Sequence, residues 1–254
     1  PLYGDRELLH RGGMGRTFRA RDRRVGRDVV IKEMLEPDAY PGDEQRRRMR
    51  ARFEREAALT ARLQHPSIVG VYEVGRWDDD EPFYTMPLVR GRPLAQEIAA
   101  RPTVRARLGL LGHAIAACEA IAYAHAQGVV HRDIKPENIL VGEFGETVVI
   151  DWGLAKDLRG DERDVDAGEG AAPVGQLTRL GVGTPAYMPP EQARGEPPDE
   201  RVDVYALGAT LYHVLGGVAP YADARTREVR GKLVDGPPTP LGTLAPEVPH
   251  ELIA

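Results

Sequence analysis

The spacing of apolar residues divides the chain into a first third that is rich in strands and a remainder that is mainly helical. Short β-branched runs predict strands at 27–33 and 67–74. Between them, the charged segment 42–63 carries apolar side chains at helical spacing and predicts one long helix. Its arginines are interpreted as a solvated helix face and lie at positions 46, 47, 48, 50, 52 and 55.

Two apolar stripes predict the helices of the remainder. The first predicts one helix over 104–126 with a buried face formed by Val104, Leu108, Leu111, Ile115, Cys118 and Ile121. Cys118 is therefore interpreted as a core residue rather than a nucleophile, and Gly128 is expected to end the helix. The second helix is predicted near 203–215, with an apolar side formed by Val204, Leu207, Leu211 and Val214. The stretch 157–184 lacks this periodicity and predicts a long surface loop.

The composition is that of an ordinary globular protein and excludes several classes of function. Of 254 residues, 42% are hydrophobic and 29% are charged, and the formal net charge is −5. No basic excess favours a nucleic acid or an anionic membrane as partner. The single cysteine excludes an internal disulfide and favours a reducing, cytoplasmic setting. We expect no apolar run of the roughly 18–20 residues that a membrane span needs, no signal peptide, and, because Pro1 stands first, a piece of a longer protein.

Two features of the strand-rich part point to phosphate chemistry. In the turn Arg11-Gly12-Gly13-Met14-Gly15, glycines let backbone N–H groups approach a phosphate without obstruction by a Cβ. Lys32 follows the run Val29-Val30-Ile31, and a lysine there can be aimed inward as a point charge for phosphate oxygens. Taken alone, each feature has a simpler interpretation, as a hairpin turn and as a surface lysine.

The most specific segment is His131-Arg132-Asp133-Ile134-Lys135-Pro136-Glu137-Asn138, and Asp151-Trp152-Gly153 follows thirteen residues after Asn138. With about one chance in 20 per specified position, these fixed residues at fixed spacing are very unlikely to arise by accident. They resemble the catalytic loop and the metal-binding motif of protein kinases, in the form found in bacterial Ser/Thr kinases of eukaryotic type.

This resemblance implies the fold. The expected architecture is α+β and bilobal, with a small antiparallel β-rich N-lobe that contains one helix and a larger, mainly helical C-lobe. The expected bounds are 1–86 for the N-lobe, 87–91 for the hinge and 92–254 for the C-lobe. Similar kinases continue with further helices, so we expect the C-lobe to be truncated near Ala254.

The resemblance also implies the reaction. The chain would transfer the γ-phosphate of ATP to Ser or Thr hydroxyls of protein substrates, with Mg²⁺ as the metal and Mn²⁺ as an alternative. Asp133 would orient the substrate hydroxyl or accept its proton, and Asn138 and Asp151 would bind the metal. Lys135 matches the Ser/Thr-directed form of the loop, in which its ammonium neutralises charge on the transferring phosphoryl group.

Further site residues follow from the same resemblance. Glu56 would pair with Lys32 and orient it onto the α- and β-phosphates. Thr184 falls in the segment that seats the substrate, and Asp203 matches a buried aspartate that opens a long helix, although helix capping is its simpler role. The nucleotide contacts would come from Leu9, Gly12, Gly13, Met14, Gly15, Thr17, Val30, Lys32, Met86, Pro87, Val89 and Leu140.

The loop 157–184 becomes the candidate activation segment. Arg132 directly precedes the catalytic aspartate, and phosphorylation of Thr178 would let a phosphate pair with this arginine and order the loop. An unmodified Thr178 is the alternative. The resemblance implies protein substrates as partners and allows a homodimer for autophosphorylation. It also allows a membrane anchor elsewhere in a longer protein, with the kinase part itself in the cytoplasm.

The motif departs from the family pattern above the nucleotide. His10 replaces the first glycine, Thr17 replaces a valine and Val30 replaces an alanine, so we expect a modest loss of nucleotide affinity. These changes favour a second hypothesis, a pseudokinase that acts as a nucleotide-binding or scaffolding module. A small-molecule phosphotransferase is a third. The joint presence of the charged groups of phosphoryl transfer favours the active protein kinase.

Overall fold

The first third of the chain forms one antiparallel sheet in the computed structural model, which describes residues 2–12, 15–36, 42–159, 185–223 and 226–253. The strands lie in the order β1-β2-β3-β5-β4 and are β1 (Tyr3–Arg11), β2 (Arg16–Asp22), β3 (Arg27–Glu33), β4 (Glu73–Arg76) and β5 (Pro82–Pro87). The strand predicted at 27–33 is confirmed with these bounds. Its β-branched residues suit a strand that has a neighbour on each side.

The two faces of this sheet carry different clusters because side chains alternate along each strand. One face is formed by Tyr3, Ala20, Val29, Ile31 and Phe83. The helix α1 (Asp43–Arg62) covers the opposite face and confirms the helix predicted at 42–63. The contact between them, called the α1 cluster below, is formed by Met34, Phe53, Ala57 and Tyr84.

The strand predicted at 67–74 is wrong over most of its length. Only its last two residues belong to β4. The earlier ones turn toward the helical part of the chain, where Ile68 forms a parallel bridge with Val149. Val149 N–H donates to the Ser67 carbonyl at 2.8 Å, and Val69 N–H donates to the Val149 carbonyl at 3.0 Å. A β-branched run suits a buried extended segment as well as a sheet strand, so the pattern could not separate the two.

The remainder of the described chain is mainly helical. Its helices are α2 (Leu94–Ala99), α3 (Val104–Leu108), α4 (Leu111–Ala126), α5 (Pro190–Arg194), α6 (Arg201–Gly216), α7 (Thr226–Asp235) and α8 (Leu241–Leu244). Short strands form a three-stranded sheet, β6-β8-β9, and a pair, β7-β10; they are β6 (Gly91–Pro93), β7 (Val129–Val130), β8 (Ile139–Gly142), β9 (Thr147–Val149) and β10 (Lys156–Asp157). Short 3-10 turns occur at Pro136–Asn138, Pro185–Tyr187 and His250–Leu252.

The helix predicted over 104–126 differs from the expectation in two ways. A turn at 109–110 separates α3 from α4. The buried face of α4 is also not the predicted stripe, since Ile115 is 59% exposed and Cys118 is exposed. The interpretation of Cys118 as a core residue is therefore wrong. The buried residues of α4 are Ala114, Ala117, Ala120, Ile121 and Ala124.

The physical reason lies in the composition of α4, which is apolar on nearly every side. Hydrophobic periodicity then cannot identify the buried face. The alanine side chains are buried because their small size lets the neighbouring helix approach closely. The predicted apolar side of α6 is likewise not buried throughout, since Val204 is 61% exposed. Gly128 ends α4 as predicted, with a left-handed φ of 78° just after the helix.

Among the described residues, the stretch Val104–Ala126 has the length and the apolar composition of a membrane-spanning helix. This finding corrects the expectation that no segment reaches that size. The stretch comprises α3 and α4 together, and both helices pack against α6. A helix in the core of a folded domain meets the same criterion of length and composition.

The observed buried face of α4 predicts that two isoleucines of the same helix contribute very differently to the free energy of unfolding. Ile121→Ala removes a side chain that is 1% exposed and should lower the free energy of unfolding by about 2–5 kcal/mol. Ile115→Ala, at a side chain that is 59% exposed, should change it by less than about 0.5 kcal/mol. Urea unfolding followed by circular dichroism measures both. Equal losses would mean that the predicted stripe, and not the alanine face, is buried.

Candidate active site

Lys32 and Glu56 form a buried ion pair between β3 and α1. The Lys32 Nζ is 2.5 Å from Glu56 Oε1, and the two side chains are 11% and 1% exposed. Burial by itself lowers the pKa of Lys32, but the carboxylates of Asp151 and Glu56 outweigh it and raise that pKa well above its ordinary value. Lys32 is therefore held as a cation on the face of the sheet that α1 covers.

Asp151 meets the same lysine from the helical part of the chain. Its Oδ1 is 3.1 Å from Lys32 Nζ, and Lys32 lowers the pKa of Asp151 to about 2. The carboxylate is 49% exposed and is accessible to a further ligand. Ile150 N–H donates to the Asn138 carbonyl at 2.9 Å, which fixes the approach to Asp151. Asp151 itself has a φ of 62°, a strained left-handed conformation for a residue other than glycine.

Asp133, Lys135 and Asn138 converge in the loop between β7 and β8. Lys135 Nζ lies 2.7 Å from Asp133 Oδ2, and Asn138 Nδ2 donates to the same oxygen at 3.1 Å. Among the described residues, none donates to the other oxygen, Oδ1. Burial raises the pKa of Asp133 although Lys135 opposes the shift. A carboxylate with one oxygen fixed and the other available can accept a proton from a hydroxyl.

Asp203 fixes the backbone of this loop. Its carboxylate is 0% exposed, and its two oxygens accept the N–H groups of His131 and Arg132, each at 2.8 Å. His125 Nε2 is a third partner at 2.8 Å. The capping role considered for Asp203 is wrong, because α6 has no side-chain cap at Glu200 and both oxygens of Asp203 are used by the loop. Arg132 has a φ of 67°, and these buried bonds hold that strained conformation.

Trp152 fills the space next to the loop. It is 1% exposed, and its ring centroid lies 4.6 Å from that of His131. The core thus encloses this large aromatic side chain. Arg52 Nε donates to the Gly153 carbonyl at 3.3 Å and ties α1 to this segment. The arginines of α1 are therefore not all a solvated face, although Arg47 and Arg48 are exposed.

The glycine turn between β1 and β2 is closed by a backbone bond. Gly12 N–H donates to the Gly15 carbonyl at 2.9 Å. A Cβ on Gly15 would lie 2.5 Å from the Glu33 carbonyl oxygen, so glycine alone fits against β3 at this position. Gly13 and Met14, which were predicted to contact a phosphate, lie outside the described residues.

The other predicted nucleotide contacts lie on strands that flank Lys32. Val30 pairs with Met86 across β3 and β5, and Thr17 pairs with Lys32 across β2 and β3. Met86 packs on both the α1 cluster and the main core of the helical part, so it joins the two. The remaining contacts lie at an irregularity in β1, at the end of β5, just after β5 and in β8; they are Leu9, Pro87, Val89 and Leu140.

Two predicted residues, Thr178 and Thr184, lie outside the described residues. Arg132 connects the described segments on either side of them. Its Nε donates to the Leu154 carbonyl at 2.5 Å, and its own carbonyl accepts a bond from Gln192 Nε2 at 3.2 Å. Arg132, which directly precedes Asp133, therefore contacts the described chain on both sides of the stretch 157–184.

Asn138 and Asp151 supply oxygen atoms that fit a divalent metal. The amide nitrogen of Asn138 is used by Asp133, which leaves its amide oxygen as an acceptor. Carboxylate and amide oxygens suit a hard cation such as Mg²⁺. Within the described ranges, no group of three or more His, Cys, Asp or Glu side chains converges. A metal at this position would therefore take further oxygen ligands from a bound phosphate.

Sequence reasoning missed two polar contacts of the site. Tyr84 OH lies 2.6 Å from Glu56 Oε1, and His125 is a partner of Asp203. An apolar strand and an alanine-rich helix give no sign of a polar contact. Alternation along β5 was the available signal for Tyr84, because it places this residue on the same face as Met86.

Comparison with known proteins gives consistent matches. The chain matches the protein kinase domain over residues 3–239. It is 37% identical to the serine/threonine-protein kinase PknD of Protochlamydia amoebophila in an alignment that covers 87% of this chain and 24% of that protein. It is 35% identical to PknD of Chlamydia trachomatis serovar D in an alignment that covers 96% of this chain and 28% of that protein. The chain thus spans about a quarter of the length of these relatives.

Asparagine substitutions at Asp151 and Asp133 should change acid stability in opposite directions. The pKa of Asp151 is lowered to about 2, so its stabilising effect is present above its ordinary value of 3.8 and is lost as pH falls toward about 2. Asp151→Asn should therefore reduce the loss of melting temperature between about pH 4 and pH 2.

The pKa of Asp133 is raised above 3.8, so the folded state gains stability as pH falls toward that value. Asp133→Asn should remove this gain and raise the melting temperature at neutral pH. Thermal unfolding of the wild type and both variants at a series of pH values tests the two signs. If the melting temperatures of the two variants depended on pH in the same way, the opposite pKa shifts of Asp151 and Asp133 would be contradicted.

Proposed function

The chain belongs to the protein kinase family, and from that premise we propose that it transfers the γ-phosphate of metal-bound ATP to Ser or Thr hydroxyls of protein substrates. One observation supports this proposal above the others. Lys32 Nζ lies 2.5 Å from Glu56 and 3.1 Å from Asp151, so three distant parts of the chain present their charges at one point. A scaffolding module has no physical need for this arrangement.

Lys32 would bind the phosphates as a fixed cation. Glu56 restrains its ammonium from the side of α1, so the lysine loses little freedom when a triphosphate arrives. Its second contact, to the half-exposed Asp151, is the one that a phosphate oxygen can replace. The raised pKa of Lys32 keeps the charge in place throughout the reaction.

Asp133 would position the substrate hydroxyl and receive its proton. The hydroxyl oxygen forms a bond to the γ-phosphorus, the bond to the leaving β-phosphate oxygen breaks, and the hydroxyl proton passes to Asp133. Lys135 and Asn138 hold one carboxylate oxygen of Asp133 at 2.7 and 3.1 Å. Because Lys135 lies beside the Asp133 carboxylate, its ammonium would also lie near the transferred phosphoryl group. There it would offset negative charge on that group, as in Ser/Thr-directed kinases.

Asn138 and Asp151 would hold the divalent metal, and we propose Mg²⁺ with Mn²⁺ as a substitute. A bound metal of this kind neutralises charge on the phosphate oxygens. Asn138 is oriented for this by its two bonds to Asp133. Asp151 is ionised down to a pH of about 2, so it is an acceptor at every physiological pH.

The nucleotide would lie against the strand residues around Lys32, and the lobes would be divided at 1–86, 87–91 and 92–254. The adenine would bond to the Pro87 carbonyl and the Val89 N–H, and Val30, Met86 and Leu140 would line its faces. The roof would be formed by Leu9, Gly12, Gly13, Met14, Gly15 and Thr17. Thr184 would help to seat the substrate beside Asp133.

We place this domain in the cytoplasm, where kinase domains generally act and where ATP is available. Its partners would be ATP and protein substrates. A homodimer in which one copy phosphorylates the other is a further proposal, as is a membrane anchor in a longer protein. The activity of such a longer protein is a proposal as well, since the PknD relatives extend well beyond the matched region.

The chain should move labelled phosphate from ATP to a generic protein substrate, and chelation of divalent cations should stop it. Asp133→Asn should lower kcat by about 10²–10⁴-fold while nucleotide binding persists, because a general base and not a phosphate contact is removed. Asp79→Asn, in the exposed turn between β4 and β5, is the matched control. Nucleotide binding without transfer by the wild type would favour the pseudokinase.

Regulation of the activity would act through Thr178 and Arg132. A phosphate on Thr178 would pair with Arg132 and order the candidate activation segment. Thr178→Ala should therefore slow autoactivation and leave the segment open to limited proteolysis after incubation with ATP. Time courses of activity and of proteolysis test this. Identical courses for the wild type and the variant would contradict it.

A further inference from the structure

Glu56 is shared by two donors that approach the same oxygen. Lys32 Nζ lies 2.5 Å from Glu56 Oε1, and Tyr84 OH donates to that oxygen at 2.6 Å. Glu56 and Tyr84 are each 3% exposed. The second carboxylate oxygen, Oε2, is buried and has no hydrogen-bond partner among the described residues. The whole restraint on this carboxylate therefore acts through one atom.

The sheet register explains why the two donors meet. Lys32 and Tyr84 are direct partners across β3 and β5, and residues opposite one another on antiparallel strands project to the same face. The Tyr84 ring also packs on Phe53 of α1, with centroids 5.4 Å apart. Phe53 precedes Glu56 by three residues, so both lie on the same side of the helix. The tyrosine thus contacts α1 through its ring and through its hydroxyl.

We propose that Tyr84 is a positioning residue that holds Glu56, and with it α1, in the arrangement that orients Lys32 toward phosphate. This inference rests on the proposed kinase function and deepens it. The role is separate from that of Lys32, whose ammonium also contacts Asp151 at 3.1 Å and has to reach a nucleotide. The Tyr84 hydroxyl has Glu56 as its single hydrogen-bond partner in the described chain. Glu56 therefore stays in place while the lysine exchanges partners.

The chemistry of the hydroxyl suits this role. Burial, followed by the Glu56 carboxylate, raises the pKa of Tyr84 well above its ordinary value. The hydroxyl therefore keeps its proton and remains a donor to the carboxylate. A neutral donor also adds no charge that would compete with Lys32 for a phosphate.

Tyr84→Phe removes the hydroxyl and keeps the ring. Loss of a hydrogen bond to a charged group should lower kcat/KM for ATP by about tenfold, while KM for the protein substrate is unchanged. Tyr212→Phe removes a hydroxyl that donates to the Thr239 carbonyl at 2.8 Å, far from the site in the sequence, and should leave both constants at wild-type values. Unchanged kcat/KM for ATP in Tyr84→Phe would overturn the proposal.

A double-mutant cycle separates positioning from packing. Tyr84→Phe should lower the melting temperature in the wild-type background but not in Glu56→Met, where the hydroxyl has already lost its acceptor. Equal losses in both backgrounds would mean that Tyr84 acts through packing alone. Hydrogen exchange without nucleotide gives a local measure, and the amides of α1 should exchange faster in Tyr84→Phe while those of α4 do not change.

These measurements distinguish failure of this inference from failure of the proposed function. Melting and hydrogen exchange need no catalytic activity, so they test the contact even in a chain that transfers no phosphate. A wild-type chain without transfer would overturn the proposed function alone. A wild-type chain that transfers phosphate, together with unchanged α1 exchange in Tyr84→Phe, would overturn the role of Tyr84 alone.

Discussion

The buried ammonium of Lys32 is the point on which the arrangement of the site depends. β3 supplies the lysine, α1 supplies Glu56, and the segment after β9 supplies Asp151. A buried charge is costly unless it is paired, so each of these parts is constrained by the need to keep the others nearby. The orientation of α1 and the position of the Asp151 carboxylate are thus coupled through one cation.

A second buried charge organises the helical part in a different way. Asp203 is fully buried on α6, and it is satisfied by two backbone N–H groups and by His125. Its oxygens hold the loop that contains Asp133, including a left-handed residue at Arg132. The site therefore combines a loop fixed through its backbone with a lysine fixed through side chains. Strain of this kind persists only when surrounding bonds compensate for it.

Local patterns predicted the elements whose environment differs from one side to the other. β3 alternates between two faces, and α1 has a charged side and an apolar side, so both were found with nearly the observed bounds. The pattern failed where the environment is uniform. α4 is apolar on nearly every side, and the segment around Ile68 is extended and buried without being part of a long strand. In both places the contact partner, and not the sequence nearby, decides which residues are buried.

Phosphoryl transfer could be predicted from the sequence because the segment His131–Asn138 and the motif Asp151-Trp152-Gly153 resemble the catalytic loop and the metal-binding motif of protein kinases. How the charged groups of the site are held depends on contacts between distant parts of the chain. Lys32 and Asp151 are 119 residues apart along the chain, and Tyr84 reaches Glu56 across 28 residues. Local periodicity reports which side of a helix or strand is apolar, but it carries no information about which distant side chain will complete a buried polar group. That choice is made when the layers pack.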